Sequence, residues 1–257
     1  MFPYRDENET QRTPYITVAI IAINVLVWLF IQGAGSTLPL ARSVCNLGLI
    51  PGELTATLSP GTPLEMDRGL VCLTDSGRQF SNVITSMFLH GSWMHLIGNM
   101  WFFWIFGNNI EDSMGRGRFV VFYLLSGLCA AGLQVLINPM SNIPMVGASG
   151  AISGIMGAYV VLYPRVRVFA LLPLGFFITT VALPAWIMLG YWMLLQFLGG
   201  VGSMGRTGGG TAFWAHVGGF VAGLVLIKLF ARPDYIRSHQ AHHWQPRKIG
   251  WGRSSDE

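Results

Sequence analysis

The sequence predicts an all-α polytopic membrane protein of six transmembrane helices, and three observations carry that prediction. Hydrophobic residues make up 52% of the 257 residues and charged residues only 11%, against roughly 25% charged in an ordinary soluble domain. Apolar runs close to the length of about 20 residues that crosses a bilayer recur along the chain, separated by short polar or Gly/Pro-rich stretches. Lys and Arg gather in alternate connections, the pattern of cytoplasmic flanks.

The first span runs from about Tyr15 to Gln32. Its length, the mixed charge of Arg5 to Arg12 and the weak cleavage match at Gln32-Gly-Ala-Gly-Ser read as a retained span rather than a signal peptide. A long loop, residues 33–88, follows on the non-cytoplasmic side. The second span covers about Ser92 to Phe106 and the third Phe119 to Ile137. The fourth opens near Gly147 and ends at Tyr163, before Pro164; the fifth lies within Leu171 to Leu198, and the sixth covers Phe213 to Phe230. A membrane domain over residues 15–231 is thus expected between a cytoplasmic N-terminal segment, 1–14, and a basic cytoplasmic tail, 232–257.

Orientation follows from the basic residues. Arg5 and Arg12, Arg116 and Arg118, Arg165 and Arg167, and the tail from Lys228 to Arg253 all fall on one side of a six-span arrangement, while the fifth-to-sixth loop carries only Arg206. Both termini are therefore expected in the cytoplasm. A bacterial inner membrane is the expected location, from the compact size and the lack of a transit peptide. The net charge of +4 reflects this asymmetry; an anionic bilayer surface satisfies it, and no nucleic acid is expected. Cys45 and Cys72 share the long loop, where a disulfide and two free thiols are both open. Cys129 lies in the third span.

Polar side chains are costly in hydrocarbon and mark function when they occur there. His90, His95, Asn99, Ser149, Ser153 and His216 form that set; Asn24 and Gln196 stand alone and read as structural helix-to-helix hydrogen bonds. Ser149 lies in Val146-Gly-Ala-Ser-Gly at the start of the fourth span, where free backbone N–H groups and the helix dipole favour negative charge. The bland reading is a small-residue packing stripe through Gly150, Gly154 and Gly157. The sixth span tilts the balance: Ala215, Gly219 and Gly223 form a second stripe, and His216 sits beside it. Two such stripes let the helices approach closely enough for Ser149 and His216 to meet, the minimum for nucleophilic catalysis. No Asp or Glu occurs from Ser113 to Pro233, so the unit is a dyad without an acid from spans three to six. His95 and Asn99, four apart, share a helix face and suit an oxyanion. The five-residue step from His90 to His95 fits no zinc motif, and neither metal nor cofactor is expected.

These residues resemble the rhomboid family of intramembrane serine proteases over essentially the whole chain. The motifs are Gly147-Ala-Ser149-Gly150, then Ala215-His216 with Gly219 and Gly223, and the His90, His95, Asn99 set. The resemblance implies a six-span rhomboid-like bundle of the bacterial type, with Ser149 as nucleophile and His216 as base. It implies an oxyanion hole of His95, Asn99 and the Ser149 backbone N–H, and structural support from His90, Glu111, Gly150, Gly219 and Gly223. The substrates it implies are single-span membrane proteins with helices unstable near the cleavage site. Two departures stand out: Phe80-Ser81-Asn82-Val83 replaces a Trp-Arg pair, and Ser153 stands where some members have a tyrosine under the base, which leaves the support of the His216 ring unassigned. A catalytically silent binder of membrane proteins and a histidine-relay transporter are the competing readings. The intact Ser149 and His216 count against the first, and the absence of an inverted repeat of broken helices against the second. The Gly-rich stretch Gly199 to Gly210 reads either as a gate over the site or as a flexible connection, and the tail histidines, His239, His242 and His243, are assigned no chemistry.

Overall fold

The computed structural model describes residues 2–65, 70–75, 77–175, 177–203 and 211–237. In chain order these form β1 (Phe2–Asp6), α1 (Tyr15–Leu26, prolonged by the π-helical turn Val27–Ile31), α2 (Thr37–Leu47), α3 (Pro51–Leu54), β2 (Pro63–Glu65), β3 (Val71–Leu73) and α4 (Asn82–Thr85). The remainder forms α5 (Trp93–Met114), α6 (Arg116–Ile137), α7 (Ser149–Leu162), β4 (Arg167–Leu174), β5 (Phe177–Pro184), α8 (Ala185–Ser203) and α9 (Phe213–Phe230). Gly199–Ser203 belong to α8, which runs beyond the expected end of the fifth span at Leu198 and shortens the expected Gly-rich loop; residues 204–210 of that stretch and 238–257 of the basic tail lie outside the described residues.

The long helices α1 and α5 to α9 follow the six expected apolar runs. On length and composition α6, α8 and α9 are long and apolar enough to cross a membrane, while Tyr15–Ile31 and Ser149–Leu162 are shorter. α5 continues two turns beyond the expected end at Phe106, because its polar end is buried rather than solvated: Asn109, Glu111, Asp112 and Ser113 are all inaccessible. The core lies where α5, α6, α7 and α9 meet, around Phe103, Phe106, Phe119, Phe122, Ile155 and Tyr159.

The expected fifth span needs correction at its start. Residues 171–174 and 177–184 form the β4–β5 hairpin, and the helix begins only at Ala185. An apolar stretch such as Phe177-Ile-Thr-Thr-Val181 is rich in β-branched residues, and hydropathy alone cannot separate a strand from a buried helix. β1 adds antiparallel to β4, giving a three-stranded sheet in the order β1-β4-β5. The N-terminal segment is thus part of the fold.

The basic connections converge at one end of the bundle. Glu111 accepts from the backbone N–H of Ile16 at 3.0 Å and of Thr17 at 2.8 Å, and from the Thr17 hydroxyl at 2.8 Å. It thereby satisfies orphan donors in the first turn of α1. Arg12 pairs with Asp112 at 3.0 Å and stacks 3.8 Å from the Tyr235 ring, while Arg116 covers Tyr15 at 4.3 Å. Gly115 turns α5 into α6 at φ 82°, a left-handed conformation that favours glycine.

At the opposite end Cys45 and Cys72 are joined by a disulfide, tying α2 to β3 and deciding a pairing that the sequence left open. Asn82, in the stretch that departs from the family pattern, donates to the Asn46 and Gly48 carbonyls, each at 3.1 Å, and Thr85 donates to Leu47 at 2.7 Å. These bonds fasten α4 to the end of α2.

Asp6 accepts hydrogen bonds from the Tyr159 hydroxyl and, at 3.0 Å, from the Asn109 amide, linking the sheet to α7 and α5. Burial pushes its carboxyl up to about 7 from 3.8, against the opposing pull of the Tyr159 hydrogen bond. A carboxyl raised in the folded state binds its proton more tightly there than when unfolded, so its contribution to stability is full at low pH and is lost as pH rises towards 7. The Tm of the wild type relative to Asp6→Asn is therefore expected to fall between pH 4 and pH 8, as read by thermal unfolding in detergent. A constant difference across that range would rule out a raised Asp6.

Candidate active site

Packing between α7 and α9 sets the site. A Cβ placed on Gly219 would lie 1.9 Å from the Gly150 carbonyl oxygen, and one on Gly223 would lie 1.9 Å from that of Gly154. A Cβ on Gly157 would lie 2.2 Å from the Phe220 carbonyl. No side chain fits at these positions, so the backbones are in direct contact, as small-residue stripes allow between membrane helices. That approach brings His216 Nε2 to 2.7 Å from Ser149 Oγ. Both residues lie at the starts of their helices, at the same end of the bundle.

The other ring nitrogen of His216, Nδ1, lies 2.8 Å from Gln196 Oε1 on α8. Trp192, one turn earlier on α8, packs its ring 5.6 Å from the imidazole, centroid to centroid. The sequence treated Gln196 as a helix-to-helix hydrogen bond of structural kind; the bond exists, and its partner is His216. Nothing in the sequence alone pairs residues 20 apart across two helices, although an intramembrane glutamine was the available signal. Ser153 turns away and donates to the Ser149 carbonyl at 2.7 Å. Asn24, also expected to bond between helices, instead donates back to Ile20 of its own helix at 2.8 Å.

Ser149 is the first residue of α7, so its N–H points out of the helix start without an intrahelical acceptor. Before it, Gly147 has φ 129°, and a Cβ there would meet His95 Nε2 at 2.8 Å and Ser149 Oγ at 3.6 Å. His95 Nε2 and Ser149 Oγ therefore face one small volume. His95 Nδ1 accepts from the Gly91 N–H at 3.3 Å, which leaves the proton of a neutral ring on Nε2, directed into that volume. Asn99, one turn further along α5, is buried, and its amide nitrogen has no acceptor among the described residues.

His90 lies behind this group, with its ring against that of His95 at 5.1 Å. Its backbone is held on both sides by the buried Gln32, which accepts from the His90 N–H at 2.8 Å and donates to the His90 carbonyl at 2.7 Å. Gln32 closes the first span, and its part in seating the loop was not legible from sequence.

A family model described as the Rhomboid domain matches residues 77–233. The chain belongs to the rhomboid family. It is accordingly an integral membrane protein. Rhomboid relatives include "RHOMBOID-like protein 6, mitochondrial" of Arabidopsis thaliana, 29% identical over 60% of this chain and 53% of that protein. "Rhomboid-like protease 5" of Toxoplasma gondii is 32% identical over 63% of this chain and 17% of that protein. "Putative rhomboid protease YdcA" of Bacillus subtilis is 27% identical over 57% of this chain and 61% of that protein. The chain thus spans about half of the first relative and less than two thirds of each of the others. These rhomboid relatives come from plant, parasite and bacterial sources alike.

The tight α7–α9 contact predicts a large asymmetry among glycine substitutions. Gly219→Ala and Gly223→Ala should each lower stability by at least about 1–3 kcal/mol, the usual range for overpacking. Gly190→Ala on α8, where a Cβ meets nothing within 4 Å, should be neutral. Thermal unfolding of the three variants checks this, and equal Tm values would mean that the helices are not in contact.

Proposed function

We propose that this protein is a serine endopeptidase that cuts single-span membrane proteins within or beside their transmembrane helix, using Ser149 and His216 as a dyad. The observation that carries the reading is the 2.7 Å contact between His216 Nε2 and Ser149 Oγ, supported by membership of the rhomboid family and by the word protease in the names of two relatives.

In the mechanism, His216 Nε2 takes the Ser149 proton as Oγ attacks the scissile carbonyl. The oxygen that becomes negative is received by the Ser149 N–H, His95 Nε2–H and the Asn99 amide; the first is held by the start of α7 and the second by the Gly91 N–H on the other ring nitrogen, so both are set before reaction and effective in a low-dielectric site. His216 then passes its proton to the leaving amine, and a water molecule hydrolyses the acyl-enzyme by the same steps in reverse. A cleft beside Ser149, lined by Met87, Gly127, Ala130, Met145 and Ala215, suits a small apolar side chain next to the cleaved bond. A helical substrate has its carbonyls bonded and covered, so the segment entering the site must first unwind. This favours substrates with weak helices.

For topology we propose cytoplasmic termini and an active site opening to the other side, in a bacterial inner membrane. The convergence at one end of Arg12, Arg116 and Arg232, whose backbone N–H donates to the Ser113 carbonyl at 3.0 Å, supports this, and so does the Cys45–Cys72 disulfide at the other, since such bonds persist in oxidising compartments. In intact cells a membrane-impermeant maleimide should label Cys45 and Cys72 only after reductant is added. Labelling that requires neither reductant nor a permeant reagent would reject a disulfide on that side, and labelling only after lysis would invert the topology.

The catalytic reading is tested in liposomes with a single-span substrate. The wild type should cut it, Ser149→Ala and His216→Ala should abolish cutting while remaining folded, and Asn99→Ala should reduce kcat by about 10²–10³. A wild type that binds several weak-helix substrates without cutting them would favour a silent binder, and cleavage surviving Ser149→Ala would identify a different nucleophile.

A further inference from the structure

His216 is held by two residues of a helix that carries neither half of the dyad. Trp192 and Gln196 are four apart on α8 and so share one face. Trp192 covers the imidazole at 5.6 Å, and Gln196 Oε1 meets its Nδ1 at 2.8 Å. Ser153, which stands one turn after Ser149, is occupied with the Ser149 carbonyl and does not contribute.

We infer that Gln196 is the positioning residue of the dyad: its carboxamide oxygen fixes the tautomer of His216 in the role that an aspartate has in soluble serine proteases. The inference rests on the protease reading above. A neutral imidazole carries one proton, on either nitrogen. A carboxamide oxygen only accepts, so the proton is placed on Nδ1, and Nε2 keeps the lone pair that must receive the Ser149 proton. In the opposite tautomer Nε2–H would donate to Ser149 Oγ, and the hydroxyl would have no base. When His216 takes up the serine proton, both ring nitrogens are protonated and the Nδ1–H bond to Gln196 becomes charge-assisted and stronger. The stabilisation thus grows in the transition state, as positioning in catalysis requires.

The choice of an amide has a physical reason. An ionised carboxylate at membrane depth carries a large desolvation cost, and the sequence has no acid between Ser113 and Pro233. A glutamine supplies the acceptor without the charge. The Trp192 face, within cation–π range of the ring, adds attraction once the imidazolium forms.

The test uses the full chain in liposomes. Wild type, Gln196→Leu and Gln196→Glu are compared for Tm, for kcat and KM on a single-span substrate, and by ¹⁵N NMR of histidine-labelled protein, with His216→Ala assigning the His216 signals. The expected result is an Nδ1-protonated ring in the wild type. Gln196→Leu should mix the tautomers and lower kcat about tenfold to a hundredfold, with KM changed by less than about twofold. Gln196→Glu, which keeps an acceptor, should retain more of kcat than the leucine variant. Wild-type kcat in Gln196→Leu, equal losses in both variants, or a wild-type ring protonated on Nε2 would overturn the inference. If Gln196→Leu fails to fold, the wild-type ring and the glutamate variant decide. A wild type that neither cuts nor reacts with a fluorophosphonate at Ser149 would defeat the protease reading instead, and the NMR result alone would then judge the Gln196 contact.

Discussion

The carbonyl oxygens of Gly150 and Gly154 lie where side chains on Gly219 and Gly223 would have to be. This backbone contact between α7 and α9 is the constraint on which the candidate site depends. A serine hydroxyl and an imidazole reach only a short distance from their helices, and the 2.7 Å contact of Ser149 with His216 requires helix axes closer than ordinary side chains permit. The contact is polar only at its end. Over most of its length it consists of small residues and backbone, which is how membrane helices associate when lipid removes the hydrophobic drive between them.

Around that pair, the structure divides its work between two ends. At one end Glu111, Asp112, Arg12, Tyr235 and the β1-β4-β5 sheet fasten the N-terminal segment, the α5–α6 turn and the beginning of the tail to one another. Glu111 and Asp112 are acceptable here as buried carboxylates because backbone N–H groups meet both and a guanidinium also meets Asp112. At the other end the disulfide, Asn82 and Gln32 hold the long loop against the starts of the helices. His90 and His95 are thereby placed beside Gly147. Neutral donors and acceptors predominate around the reacting group, where ionised groups would be hardest to keep.

The sequence was informative where the membrane imposes a rule. Long apolar runs, basic flanks and intramembrane polar residues each follow from the cost of exposing charge or backbone to hydrocarbon, so six long helices and the shortlist of polar residues could be read directly. It misled at Leu171 to Pro184, where hydropathy registers an apolar strand and an apolar helix alike, and it was silent on the sheet that pairs residues 2–6 with 168–171. Ser149 and His216 were legible because each sits beside its own glycine stripe, a local pattern. Gln196 was visible only as a lone polar residue, since its meaning depends on the rotation of α8 against α9.

By itself, then, the sequence determined the membrane class, the principal helices and the two residues of the proposed dyad, because these follow from local composition and helical periodicity. Only the tertiary structure decided the partner of His216 Nδ1, the Cys45–Cys72 pairing, the sheet and the common volume faced by His95 and Ser149. Those depend on how separate elements are rotated and shifted against one another. Such a relation belongs to pairs of residues far apart in the chain, and no single segment encodes it.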